Sequence, residues 1–133
     1  MDDAPIRRVD DPTIPDSEGL WRRIPPSWIV LDKETGEWRL SSVAFIDRRG
    51  ELSVELSSLT TAEQSLARYP EHSLAEVKAI VFRERGYGVV PDPLPDNMAH
   101  ALVSGKITKT HAREIARAAV WVILRRPSVE DGP

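Results

Sequence analysis

The chain has 133 residues, no cysteine and a formal net charge of −3, which excludes disulfides, thiolate-held zinc and thiol catalysis and argues against a dedicated, strongly basic nucleic-acid-binding domain. With 41% hydrophobic and 29% charged residues it has the composition of a globular domain long enough to bury one core.

Residues 1–18 hold six acids, running from Asp2 to Glu18, against only Arg7 and Arg8. Acidic, Pro-rich and poor in large apolar side chains, they are expected to form a flexible leader. They lack the cationic start and apolar run of a signal peptide. The body is expected to be a single α+β domain over 19–126, followed by a flexible tail at 127–133. Its first half reads as β. Leu20–Ile24 and Trp28–Leu31 are strand candidates separated by Pro25-Pro26, and Asp32–Gly36 is a hairpin turn whose glycine tolerates positive φ. Glu37–Leu40 and Val43–Ile46 continue the β pattern. Asp47–Gly50 then turns the chain into Leu52–Leu56, where Leu52, Val54 and Leu56 alternate with Ser53 and Glu55 as in a half-buried antiparallel strand.

Thr60-Thr61-Ala62-Glu63 matches a capping box, with Thr60 as the cap of a short helix reaching about Tyr69, before Pro70. Residues 74–85 read as a strand running into a helix that ends on Gly86. Tyr87–Val90 is a strand, Pro91–Asn97 a rigid proline loop, and Ala99–Val103 another strand. Gly105 leads into the last helix, capped by Thr108 or Thr110. Its apolar side runs from Ala112 through Leu124, which predicts one long buried helix packed across a mainly antiparallel sheet. Trp121 on that helix and a strand tryptophan are expected at the centre of the core. The apolar helix face also permits a homodimer. The longest near-apolar run, Ala118–Leu124, is too short to span a bilayer, so no membrane partner is expected and the cytoplasm is the expected compartment.

The sharpest chemical signal is charge at the start of the last helix. Lys106, Lys109, His111 and Arg113 lie where the helix dipole already leaves partial positive charge. Together with the hydroxyl of Thr108, they make Lys106, Lys109 and Arg113 the candidate residues for holding an anion. The Gly105-Lys106 pair lacks the upstream glycine of a phosphate-cradling loop, so nucleotide hydrolysis of that type is excluded. His72, His100 and His111 show no metal-ligand spacing, and neither a metal nor a cofactor is expected. His100, directly after the loop bearing Asp92 and Asp96, is a candidate general base. Arg22-Arg23 with Ser41-Ser42 form a third cluster suited to phosphate or carboxylate.

Three segments carry a resemblance: LWRRIPP (20–26), SSVAF (41–45) before LSVEL (52–56), and GVVPDPLPDNMAHALVSGKITKTHAREIARAA (88–119). Over about Leu20 to Val122 the chain resembles a family of small bacterial proteins, which implies a bacterial source and a compact single domain but carries no activity. It is more faintly similar to the RES-type toxins, NAD-degrading relatives of the ADP-ribosyltransferases. That resemblance implies an arginine on an early strand, a serine further along and a glutamate. Arg22 or Arg23 and Ser41 or Ser42 match the first two, and Glu55, Glu63 and Glu76 are candidates for the third. The glycine-rich stretch usual after the first strand is missing.

Three functions follow as expectations. The first is a binding module for a phosphate-bearing small molecule, a nucleic acid or an acidic partner surface at Lys106, Thr108, Lys109 and Arg113. The second is an NAD-cleaving enzyme in which Arg22 holds a phosphate and Ser42 the ribose. The third is one component of a toxin–inhibitor or defence complex, whose acidic leader folds on its protein partner.

Overall fold

The alternation in Gly19–Ile24 (β1) buries Leu20 and Ile24 on one face and sends Trp21 and Arg23 to the other, and a six-stranded sheet forms around this strand. The structure, a computed structural model, describes residues 7–126; the expected tail at 127–133 and the first six leader residues lie outside that range. The remaining strands are Ile29–Leu31 (β2), Trp38–Leu40 (β3), Glu51–Leu56 (β4), Ser73–Lys78 (β5), Gly88–Pro91 (β6), His100–Ser104 (β7) and Val120–Ile123 (β8). The sheet runs β6-β7-β4-β1-β5-β8, every pair antiparallel, and β2–β3 is a separate hairpin. Gly36, in the hairpin turn, has φ 73°, the conformation expected of it.

One face of the sheet carries the main core. Leu20, Val54, Val77, Ala101 and Val103 pack there with Phe45, Phe82 and Ile115; Phe45 and Phe82 meet edge to face at 6.4 Å. Three short helices contribute: Ala62–Leu66 (α1), Ala79–Arg83 (α2) and Lys109–Ala118 (α3). Lys109 and Arg113 are thus helical, Thr108 is the extended cap and Lys106 precedes it, while α3 buries Ala112 and Ile115. The tryptophans are all only half-buried, so the centre of the core belongs to the two phenylalanines and Ile115.

The last helix is shorter than its apolar run suggests. It stops at Ala118; Ala119 is extended (φ −73°, ψ 145°), and Val120–Ile123 becomes edge strand β8 against Leu74–Glu76. Val-Trp-Val-Ile is β-branched and aromatic, and it gains ladder partners on β5 that a further helical turn would forgo. Trp121 is therefore a strand residue, and the continuous apolar helix face considered for a homodimer does not exist. Val43–Ile46 is likewise not a strand. Ser42–Phe45 forms a 3₁₀ turn capped by Ser41, whose hydroxyl accepts from the Val43 N–H at 3.3 Å. In α1 the cap is Thr61, not Thr60 (Gln64 N–H to Thr61 Oγ1, 3.1 Å), and the helix ends at Leu66.

Residues 7–18 of the acidic leader dock against the body of the domain. Ile14 is buried. The Asp11 N–H donates to the Val89 carbonyl (2.9 Å), and the Val89 N–H donates to Asp10 Oδ1 (2.7 Å), so this segment covers the β6 edge of the sheet. The clamp is Arg83, which donates to Asp10 Oδ1 (3.0 Å), Asp16 Oδ1 (2.9 Å) and the Asp11 carbonyl (2.9 Å). The acids expected to meet a protein partner are thus engaged, from Asp10 to Asp16, by the chain itself. Arg83→Ala removes three charge-assisted bonds in one step. We expect a loss of about 2 kcal/mol in urea unfolding and faster proteolysis confined to the leader; a stable, protease-resistant variant would contradict the clamp.

Candidate functional site

β1 and β4 pair only at Leu20↔Leu56 and Trp21↔Glu55, whereas β1 and β5 stay in register from Gly19↔Lys78 to Ile24↔Ser73. Beyond Trp21 the sheet therefore opens between β1 and β4. Arg22 fills the gap: its Nε donates to the Ala44 carbonyl (3.0 Å) and one Nη to the Ser53 carbonyl (2.9 Å), and its guanidinium lies 5.6 Å from the Trp28 ring. It supplies donors where backbone N–H groups of a closed ladder would have stood. Burial lowers its pKa, with Asp47 opposing that effect and Arg23 adding to it.

The split opens onto the sheet face opposite the main core. A cavity of about 210 Å³ lies at the gap. A second, of about 570 Å³, extends beside it between α1 and the loop preceding β7. Arg23, Ser53, Glu55 and His100 belong to both walls. At their junction the Glu55 carboxylate is buried, 5% exposed. Its Oε1 accepts from the Ser65 hydroxyl and from Arg23 Nη1 (3.3 Å), and its Oε2 from Asn97 Nδ2 (2.9 Å). Asn97 is itself oriented by the Ala99 N–H, which donates to its Oδ1 (3.2 Å). Arg23 lies over the Tyr69 ring at 4.3 Å and also donates to the Ser65 carbonyl (3.3 Å). Both oxygens of this buried carboxyl group thus have hydrogen-bond partners, without which its burial would be costly.

His100 stands directly across the ladder from Glu55. Its Nδ1 lies 3.0 Å from the Asp92 carbonyl and 3.1 Å from Asp92 Oδ2. Both neighbours accept hydrogen bonds, so Nδ1 carries the proton and Nε2 is the basic atom. His72 borders the smaller cavity, packs on Tyr69 at 5.0 Å and has a buried Nδ1 without a hydrogen-bond partner. Burial, and then the charge of Arg23, lower its pKa below the ordinary 6.5, with Glu71 pulling the other way.

Of the residues singled out from sequence, Arg22 and His100 meet in this cleft, and Glu55 joins them through Arg23. Ser42 does not: it lines a separate depression with Arg39 and Arg113. Ser41 is spent as a cap. Glu63 lies exposed in the first turn of α1, and Glu76 accepts from the Trp21 indole (3.1 Å) and Lys78 (3.2 Å). The Arg22–Ser42 pairing is therefore not assembled. Lys106, Thr108, Lys109 and Arg113 stay together at the exposed start of α3, but the Thr108 hydroxyl is engaged as the cap, accepting from the His111 N–H (3.3 Å). Ser65, Tyr69 and His72, from α1 and the turn after it, and Asn97, from the proline loop, were not readable as site residues, since nothing local ties either stretch to β1 and β4. The strict alternation of β4 did put Glu55 on the face opposite Leu52 and Leu56, which is the one available signal.

No protein-family model matches the chain, and comparison with curated proteins and with solved structures returned no match. The bacterial and RES-type resemblances rest on their motifs alone.

Two outcomes are expected. Glu55→Ala leaves Arg23 without its counter-charge, and since Arg23 keeps 28% of its side chain exposed the loss should be about 2–3 kcal/mol, at or below the range for fully buried pairs. For His72 the folded chain resists protonation, so at mildly acidic pH the unfolded state binds more protons and stability rises with pH. Stability should therefore fall as the pH drops through about 6.5 towards the lowered folded value, and His72→Gln should flatten that slope in denaturant titrations. An equal slope in the variant would mean that His72 is not its source.

Proposed function

We propose that the protein binds a small anionic, ring-bearing molecule in the cleft where β1 and β4 part, and that His100 acts there as a base. The carrying observation is the convergence of Arg23, Glu55, Ser65 and Asn97, four separate segments, at the junction of two cavities that His100 also lines. Arg22 and Arg23 outnumber the single carboxylate in the smaller cavity, which favours an anion. Trp21 and Trp28 add flat apolar surface there, suited to a ring such as that of a nucleotide. With Nδ1 held by Asp92, Nε2 of His100 is the atom to accept a proton from a bound hydroxyl or water.

The test is a thermal-denaturation screen of nucleotides, NAD and sugar phosphates on the wild-type chain and on Ser53→Phe. Ser53 is exposed on the strand and shared by both cavities, so a phenyl ring there occupies cleft space while Glu55 and its partners are all retained. A ligand at about 100 times its Kd adds about 2.7 kcal/mol, a rise in Tm of roughly 10 °C for a chain of this length. A rise that persists undiminished in Ser53→Phe would place the ligand elsewhere and defeat the reading.

NAD cleavage is the second reading, favoured by one observation: an arginine of the first strand, Arg23, meets Glu55 and a serine, Ser65. It expects nicotinamide release by the wild type and none by Glu55→Gln. Intact NAD after prolonged incubation at high protein concentration would remove it.

A further inference from the structure

Charge on this protein is strongly segregated. Of its 18 Lys and Arg residues, six form ion pairs and three others, Arg7, Arg22 and Arg125, donate to backbone carbonyls. Nine do neither among the described residues, and eight of these gather around α3. Lys109, Arg113 and Arg117 recur every four residues along the helix, so they share one face. Arg113 and Arg117 border a depression of about 640 Å³ whose other wall, the β2–β3 hairpin, brings Lys33 and Arg39. Lys106 precedes Ile107, which pairs with Asp47, and Arg48 and Arg49 are the exposed residues next to Asp47.

Like charges at four-residue spacing destabilise an isolated helix, and the helix dipole disfavours cations at its first turns. Among the described residues no acid forms an ion pair with them, and the neighbouring carboxylates are too few to balance them. Asp47 accepts from the Gly50 and Glu51 N–H groups, Asp32 from those of Glu34 and Thr35, and Glu114 is taken by Arg85. Among the described residues Asp32, Glu34, Glu37 and Asp47 therefore stand against eight cations, a local excess of positive charge. Five of the eight are arginines, whose planar forks match phosphate oxygens. No aromatic side chain lines the depression itself; Trp38 and Trp121 border the adjoining one with Arg39 and Arg117.

We infer that the face formed by α3, the β2–β3 hairpin and the Asp47–Gly50 turn binds the phosphate backbone of a nucleic acid, without reading its sequence. The overall net charge of −3 does not oppose this, because residues 1–18 alone contribute −4 and the Asp10 and Asp16 carboxylates are held by Arg83. The inference is independent of the cleft reading.

The experiment is fluorescence anisotropy of a labelled, mixed-sequence single-stranded oligonucleotide titrated with the full chain at several salt concentrations. With Lys33, Arg39, Arg113 and Arg117 each meeting a phosphate, the log–log dependence of affinity on salt should have a slope of about −3. Arg113→Glu with Arg117→Glu should weaken binding by about tenfold or more and make the slope shallower by about 1.5, with an unchanged melting curve; Arg39→Glu, on the hairpin, provides a second variant outside the helix. Ser53→Phe should bind as the wild type does. Absence of binding at low salt, or affinity unchanged in these charge reversals, would overturn the inference. So would equal affinity for a polyglutamate of the same charge, since the face would then answer to negative charge in general, as on an acidic protein, and not to phosphate.

Discussion

The ladder between β1 and β4 closes for two residue pairs and then opens, and the arrangement of both faces of the sheet depends on what fills that opening. A sheet interrupted in mid-course exposes carbonyls that need donors. Here the Arg22 guanidinium reaches the Ser53 carbonyl of one edge and the Ala44 carbonyl of the neighbouring 3₁₀ turn. A long, planar, multidonor side chain is suited to this, because it spans the gap without moving either strand. Arg23, Glu55 and His100 line the cavity at the same opening. Architecture and cleft therefore share one cause.

Glu55 is an unfavourable residue to bury. Its pair with Arg23 returns little net stability once both charges are desolvated. What the network contributes is position: Ser65 of α1, Asn97 of the proline loop and Arg23 of β1 are each held at a common point. Removing the carboxylate would release three segments at once. Such a network is best understood as a device that defines the walls of the cleft, with Asp92 performing the corresponding service for the His100 ring.

At the α2 end of the molecule the charges are organised differently. Arg83 gathers the leader acids and covers the β6 edge, which removes a row of unpaired backbone groups. The acidic excess of residues 1–18 is in this way partly consumed in structure. The cations of α3 receive no such compensation, and an acidic chain retains a basic face.

Local rules accounted for much of the fold. The alternation of Leu52, Val54 and Leu56, the glycine turn at Gly36, the strand-to-helix passage over 73–83 and the Thr108 cap all depend on residues within a few positions of one another, and all are present. The sequence by itself thus determined a mainly antiparallel α+β domain and the cationic start of α3. Tertiary structure decided the rest. Val120–Ile123 is as apolar as a helix continuation requires, and only the unpaired edge of β5, more than 40 residues earlier, made it a strand. The 3₁₀ turn at Ser42–Phe45 and the docking of residues 7–18 likewise answer to distant partners. Glu55 is separated by 32 residues from Arg23 and by 42 from Asn97. Nothing local marks these residues as partners: a buried ion pair is specified by which strands and loops converge, and that convergence is set by packing of the whole core and not by sequence spacing.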